Sequence, residues 1–203
     1  MLAETKDEMR EKILDAALKR FMHYGAAKTT MNEIADDLHC SKASLYYYFS
    51  DKKALHNAVL MKIGMTFFEE QEAEAENGSS ATSILQNIIE IKKQFVERFR
   101  RLELFKILTD RSEDIQKIIA ELAEREYKML TKIFEKGMAT GEFEMRDARE
   151  IAELYHHAME GLRFTRMDCF TDRIQDIDEE QFGRIIAQQK LLTEIFIRGL
   201  RKH

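Results

Sequence analysis

The segment SKASLYYYFSDKKAL, Ser41 to Leu55, contains three consecutive tyrosines within a predicted short helix. Successive residues of a helix point about 100° apart, so the three phenols cannot all face one core. Leu45 and Phe49 are four residues apart and predict the inward face. At least one of Tyr46, Tyr47 and Tyr48 must therefore point outward, and the function of the segment depends on what that ring touches.

Two further helices are predicted before this segment. Apolar residues recur at helical spacing from Ile13 to Tyr24 and stop at Gly25, a residue that favours a helix C-terminus. Thr30 and Glu33 form a capping box that starts a second helix of about two turns, and Ser41 is placed to cap the third. Two short helices joined by so short a turn indicate a helix-turn-helix.

The sides and outer face of the third helix carry lysine, small residues and phenols. Such a surface suits the major groove of DNA, because small side chains permit close approach, lysine reaches phosphate or guanine, and tyrosine hydroxyls reach phosphate oxygens. The alternative is that Tyr47 and Tyr48 only pack against the first and fourth helices. Charge does not decide between the two, because residues 1–63 carry ten Lys and Arg against nine Asp and Glu, with no basic cluster.

Composition predicts an all-α chain. Among 203 residues there is no proline and no tryptophan, glycine numbers 8, and 34% of the residues are charged, which favours long helices over strands and turns. The N-terminus is charged from Glu4 onward, and no apolar run approaches the roughly 18 residues that span a bilayer. We therefore expect a cytoplasmic protein without a membrane segment. Cys40 and Cys169 are too few to form a disulfide framework.

A larger helical region is predicted to follow. A long fourth helix starts near Leu55, and the break Asn77–Ser80 ends it. Five more tracts have apolar residues at helical spacing or a capping pattern. They cover Ile84 to Arg98, Arg101 to Asp110, Glu113 to Ala139, Asp147 to Met167 and Asp178 to Arg201. The total is about nine helices.

The segment from Glu8 to Leu55 resembles the DNA-binding domain of the tetracycline-repressor (TetR) family of bacterial transcription regulators. The matching stretches are AALKRFMHYG, TTMNEIA, SKASLYYYF and DKKAL. A pattern of several elements is more specific than one short motif. The resemblance implies a helix-turn-helix DNA-binding domain over residues 1–53 and a helical effector-binding and dimerisation domain over residues 54–203.

The resemblance also implies which residues meet DNA. Phosphate contacts are expected from Thr29, Thr30 and Tyr46, groove contacts from Lys42, Ala43, Ser44 and Tyr47, a backbone contact from Lys52, and base reading from Asn32.

His39 stands where the family usually has glycine. The turn is expected to need a positive φ, which is costly for most side chains but better tolerated by histidine. His39 and Cys40 could also form half of a metal site, but no second pair at suitable spacing lies nearby.

The C-terminal half is rich in aromatic and sulfur-containing side chains. In the resembled family this region encloses a cavity for a small apolar or amphipathic effector. The candidate ligand-binding residues are Phe95, Phe99, Phe105, Tyr127, His156 and Met159. Phe and Met stripes also form ordinary cores, and the sequence leaves both interpretations open.

No catalytic chemistry is indicated. Glu153 and His156 have the Glu-x-x-His spacing of helical di-iron proteins, but such a site needs a second copy of the element. The sequence has no glycine-rich phosphate loop and no Gly-x-Ser-x-Gly nucleophile elbow. We therefore expect no enzyme activity, no metal and no cofactor.

The sequence as a whole predicts a TetR-type regulator, a repressor released from a palindromic operator by a small-molecule effector. A homodimer is expected, because one recognition helix reads only a few base pairs. The last two helices offer apolar residues for its interface, including Leu154, Leu162, Ile185, Leu192 and Phe196. The alternative is a helical metal- or small-molecule-binding protein that does not bind DNA.

Overall fold

A computed structural model of the chain describes residues 5–99, 102, 112–164 and 179–201. These residues are all-α, which confirms the predicted fold class, and they form eight helices. The helices are α1 (Lys6–Tyr24), α2 (Met31–Asp37), α3 (Lys42–Tyr48), α4 (Lys52–Asn77), α5 (Ala81–Phe99), α6 (Glu113–Ala139), α7 (Ala148–Phe164) and α8 (Glu179–Leu200). The helix predicted from Arg101 to Asp110, apart from Leu102, lies outside the described residues. None of the described helices is long and apolar enough to cross a membrane.

The described residues of Met1–Thr66 and Val96–Ile107 form one compact unit. Its two shortest helices, α2 and α3, have seven residues each, so packing rather than intrinsic helix stability must hold them. That packing comes from fully buried apolar side chains of α1, α2, α3 and α4. They include Ile13, Phe21, Ile34, Leu45, Leu55 and Val59. The buried apolar residues of α4 run from Leu55 to Ile63, and the unit includes α4 as far as Thr66.

Both helix starts that the sequence predicts in this unit are capped. The Thr30 side chain accepts a hydrogen bond from the Glu33 amide at 3.3 Å, and the Glu33 carboxylate accepts one from the Thr30 amide at 2.8 Å, which completes the capping box. Ser41 accepts a hydrogen bond from the Ser44 amide at 3.1 Å. Gly25, with φ of +83°, ends α1 in a conformation that suits glycine.

The described residues of Phe67–Phe95 and Leu108–His203 form a second compact unit. Its core combines apolar side chains of α5, α6, α7 and α8. The Tyr155 and Thr193 hydroxyls lie 2.8 Å apart, and the Gln189 side chain donates to the Met159 carbonyl at 3.1 Å. From Tyr155 to Met159 the residue number rises along α7, while their partners on α8 fall from Thr193 to Gln189. The two helices therefore pack antiparallel.

Candidate functional site

The α3 helix has a buried inner face and an exposed outer face. Leu45 is fully buried and Phe49 is 5% exposed, which confirms the predicted inward pair. Tyr47 is 70% exposed and Tyr46 is 42% exposed, whereas Tyr48 is half-buried. Tyr47 is therefore the phenol that points outward most fully.

The start of α3 adds small and positively charged groups beside these phenols. Lys42 and Ala43 are exposed and Ser44 is half-buried. The Lys42 ammonium lies 5.7 Å from the centroid of the Tyr46 ring. At the start of α2, Thr30 and Asn32 are also exposed. The surface that these residues offer has hydroxyl, amide and ammonium groups suited to phosphate and base edges.

The turn between α2 and α3 has the conformation that the sequence predicts. His39 has φ of +51°, and it is the one non-glycine residue with positive φ among the described residues. Two backbone hydrogen bonds close the turn, from the His39 amide to the Asp36 carbonyl at 3.1 Å and from the Cys40 amide to the Ala35 carbonyl at 3.0 Å. The left-handed residue reverses the chain within a few positions and so directs α3 away from α2.

An ion pair that the sequence pattern did not reveal connects α1 to α2. The Arg20 guanidinium donates to both carboxylate oxygens of Asp37, at 2.5 and 2.9 Å, and also lies 3.5 Å from Glu33. The hydrogen bond from Arg20 lowers the pKa of the Asp37 carboxyl below its usual value. A two-pronged contact of this kind restricts the orientation of α2 relative to α1.

Two expected DNA contacts are instead engaged inside the unit. Thr29 is 1% exposed, and its hydroxyl donates to the Gly25 carbonyl at 3.0 Å. The Lys52 ammonium donates to the carbonyls of Ala26, Ala27 and Thr29 at 2.9, 3.2 and 3.0 Å. An ammonium has three N–H donors, so all of those of Lys52 have partners in the α1–α2 loop. Burial and these bonds argue against direct phosphate contact by either residue.

Three of the expected effector residues lie in the second unit close to a buried ion-pair network. The rings of Tyr127 and His156 are 4.5 Å apart, and Met159 is 2% exposed. The Glu126 carboxylate lies 3.4 Å from the Lys92 ammonium and 3.1 Å from His156 Nδ1. His156 Nδ1 and the Glu126 carboxylate are as close as the atoms of an ion pair, but their relative orientation is not that of a hydrogen bond.

The network keeps Glu126 ionised. Burial by itself would raise the pKa of this carboxyl, but the charge of Lys92 and the contact with His156 outweigh burial and lower the pKa to about 2. Lys92 and Glu126 come from α5 and α6, so sequence spacing carried no signal for their pairing. The arrangement places a fixed negative charge and aromatic rings among three helices.

The other three expected effector residues are Phe95, Phe99 and Phe105. Phe95 stacks on Phe67, with ring centroids 4.3 Å apart. Phe99 is 8% exposed and belongs to the first unit. Phe105 lies outside the described residues.

The Glu153 and His156 pair has other partners. Glu153 accepts a hydrogen bond from Arg149 at 2.9 Å, while His156 faces Glu126. Among the described residues no group of three or more side chains is arranged to hold a metal ion.

The second unit leaves large apolar side chains in solvent on α7 and α8. Leu154, Leu191 and Ile195 are 56%, 58% and 57% exposed. Leu191 and Ile195 are one helical turn apart on the same side of α8. Of the residues that the sequence suggested for an interface, Ile185 is buried, and Leu192 and Phe196 pack partly buried against the core. Leu154, which the sequence also suggested, is among the exposed residues, whereas Leu191 and Ile195 are exposed positions that the sequence did not suggest.

In the first unit, a capped helix with exposed phenols follows a short turn that contains one residue in the left-handed conformation. The same chain also forms a larger helical unit. This combination defines the class of helix-turn-helix DNA-binding regulators.

Comparison with known proteins gives the same class. Residues 13–59 match the tetR family of bacterial regulatory proteins, and residues 99–182 match the C-terminal region of QacR-like proteins. A transcriptional regulator from Cytophaga hutchinsonii, known from a crystal structure, has a sequence that is 31% identical to this one. The match covers 95% of this chain and 98% of the regulator, with a TM-score of 0.80. The chain belongs to the tetR family of bacterial regulatory proteins.

Two other relatives are more distant or match only a segment. A probable acrEF/envCD operon repressor of Escherichia coli is 31% identical over 65 residues, so the alignment spans 30% of this chain and 30% of that repressor. The structure of FadR from Bacillus subtilis was solved in complex with stearoyl-CoA. Its sequence is 18% identical to this one, and the match covers 94% of this chain and 99% of the FadR chain with a TM-score of 0.59. The FadR likeness shows the fold alone.

Proposed function

We propose that this protein is a transcriptional repressor that binds a near-palindromic DNA operator as a homodimer and is released by a small apolar or amphipathic ligand. The observation that carries the proposal is the outer face of α3, where Lys42, Ala43 and Tyr47 are exposed over a buried Leu45. The repressor relative supports the direction of control. Because the target is chromosomal DNA, we also propose that the protein acts in the cytoplasm.

The proposed DNA-binding surface consists of the exposed starts of α2 and α3 together with the two exposed phenols. Its members are Thr30, Asn32, Lys42, Ala43, Ser44, Tyr46 and Tyr47. Thr29 and Lys52 support this surface from within, because they hold the α1–α2 loop against the start of α4.

Binding to a random-sequence duplex over a range of salt concentrations tests the proposal. Phosphate contacts release counterions, so affinity should fall steeply as salt rises. Lys42→Ala should weaken binding, lower the salt slope by about one and leave the melting temperature unchanged. The matched variant Lys52→Ala should instead lose about 1 kcal/mol of unfolding free energy, because three carbonyls of the α1–α2 loop lose a charged donor, and should keep the parental slope.

Three results would contradict this assignment. Absence of binding at every salt concentration would favour the alternative, a helical small-molecule-binding protein. A parental salt slope in Lys42→Ala would show that Lys42 does not contact phosphate. An unchanged unfolding free energy in Lys52→Ala would show that Lys52 does not stabilise the fold.

Ligand release is proposed to act through α4. This helix is continuous from Lys52 to Asn77, and its residues belong to both compact units. We propose that an effector near Tyr127, His156 and Met159 tilts α4 and so changes the separation of the two recognition helices in the dimer. The spacing must match successive major grooves about 34 Å apart, so a modest tilt suffices. Stearoyl-CoA, the molecule in the FadR complex, is amphipathic and so supplies a first probe.

Linkage makes the release mechanism measurable. Stearoyl-CoA is the first probe, titrated calorimetrically with and without a duplex that the protein has selected from genomic fragments. An effector that prefers the released arrangement should weaken duplex affinity about 5- to 150-fold, and the duplex should weaken ligand affinity by the same factor. If a ligand binds the second unit equally well in both titrations, release through α4 is wrong for that ligand.

A further inference from the structure

The first turns of α1 lie beside Tyr47 of α3 and beside Phe49 at its C-terminal end. The Lys6 ammonium is 5.3 Å from the centroid of the Tyr47 ring, and the Arg10 guanidinium is 5.3 Å from the centroid of the Phe49 ring. Lys6 and Arg10 are four residues apart, so they share one face of α1. This face therefore runs alongside the end of the recognition helix.

The acidic neighbours of Lys6 have other partners. The Glu8 carboxylate accepts a hydrogen bond from the Thr5 amide at 2.8 Å, and Glu11 pairs with Lys62 at 2.8 Å and with Arg10 at 3.7 Å. The Lys6 side chain is exposed. Its charge is thus available to the Tyr47 ring, within the distance at which a cation is attracted to the face of an aromatic ring.

Tyr47 needs a neighbour to fix its orientation. Its ring is 70% exposed, and its other aromatic contact is edge-to-face with Tyr48 at 5.2 Å. An exposed phenol has rotamer freedom that must be lost when it binds DNA. A cation held against the ring reduces that loss before DNA arrives.

We propose that Lys6 is a positioning residue for DNA binding: it holds the Tyr47 ring in the orientation in which the phenol meets DNA. The proposal rests on the DNA-binding function proposed above. It extends the functional surface to the N-terminal turn of α1, ahead of residues 13–59 that match the family.

A double-mutant cycle on a random-sequence duplex separates positioning from simple charge. Lys6→Met should weaken binding about two- to fivefold, the scale of an exposed cation–aromatic contact, with an unchanged melting temperature. Lys6→Arg should retain parental affinity, since a guanidinium also binds a ring face. In the Tyr47→Ala background, Lys6→Met should change affinity by less than about 1.5-fold. Lys19→Met removes the same charge from a distant exposed position of α1 and should leave affinity nearly unchanged.

A DNA-independent measurement accompanies the cycle. In the free protein, the ε-methylene protons of Lys6 should show an upfield ring-current shift in NMR spectra, and Tyr47→Ala should abolish it. Absence of this shift, an equal loss of affinity in both Tyr47 backgrounds, or an equal loss in Lys19→Met would overturn the positioning role. If the parent protein binds no duplex at any salt concentration, the proposed function itself fails, whereas binding without coupling contradicts only the role of Lys6.

Discussion

Replacing Ala43 by glutamate is expected to abolish operator binding while the protein remains folded. Ala43 is exposed in the first turn of α3. We expect the proposed surface to approach the groove most closely there, because the alanine side chain is small. A glutamate there brings a negative charge against the phosphates and a longer side chain against the base edges. We expect the loss to be at least about 100-fold in Kd, or about 2.7 kcal/mol.

The fold should tolerate this substitution because a carboxylate in the first turn of a helix interacts favourably with the helix dipole. Anisotropy titrations on a selected duplex and a thermal melt monitored by circular dichroism measure the two effects together. Ala43→Gln is the matched control, since it has the same size without the charge, and its loss should be clearly smaller. Parental affinity in Ala43→Glu would show that the start of α3 does not approach DNA.

Charging the exposed apolar face of the second unit is expected to produce a monomer. We propose that Leu154, Leu191 and Ile195 of one copy meet the same face of a second copy, because an isologous interface uses one surface twice. The double variant Leu191→Glu, Ile195→Glu places like charges opposite each other at that interface. Operator affinity should fall by about 10²- to 10⁴-fold, since the second recognition helix no longer binds as part of the same molecule.

Light scattering at micromolar concentration gives the mass, and the duplex titration gives the affinity. Met145→Glu is the matched control: Met145 is 80% exposed and apolar, but it lies in the loop between α6 and α7. It should remain dimeric with parental affinity. A double variant that remains dimeric would place the interface elsewhere, and a parent protein that is already monomeric would contradict the proposed homodimer. Leu191 and Ile195 are exposed within the monomer, so each glutamate should change the monomer's unfolding free energy by no more than about 0.5 kcal/mol.

Local sequence determined the helices of the first unit and the direction of α3. The capping box of Thr30 and Glu33, the Ser41 cap and the Gly25 stop act over three or four residues, so they can be identified without knowing the fold. The same holds for Leu45 and Phe49, because a four-residue spacing implies one helix face. His39 took the positive φ that its place in a short turn predicts.

Tertiary packing decided which side chains remain available at the surface. Thr29 and Lys52 were expected to contact DNA, but their polar side-chain atoms bind backbone carbonyls of the α1–α2 loop. Arg20 meets Asp37, Lys92 meets Glu126, and Lys6 meets Tyr47 only after separate helices pack together. The burial of Ile185 and the exposure of Leu191 likewise depend on how α8 is rotated against its neighbours. Helical spacing identifies residues that share a face, but which face meets the core is set by contacts between residues far apart in the chain.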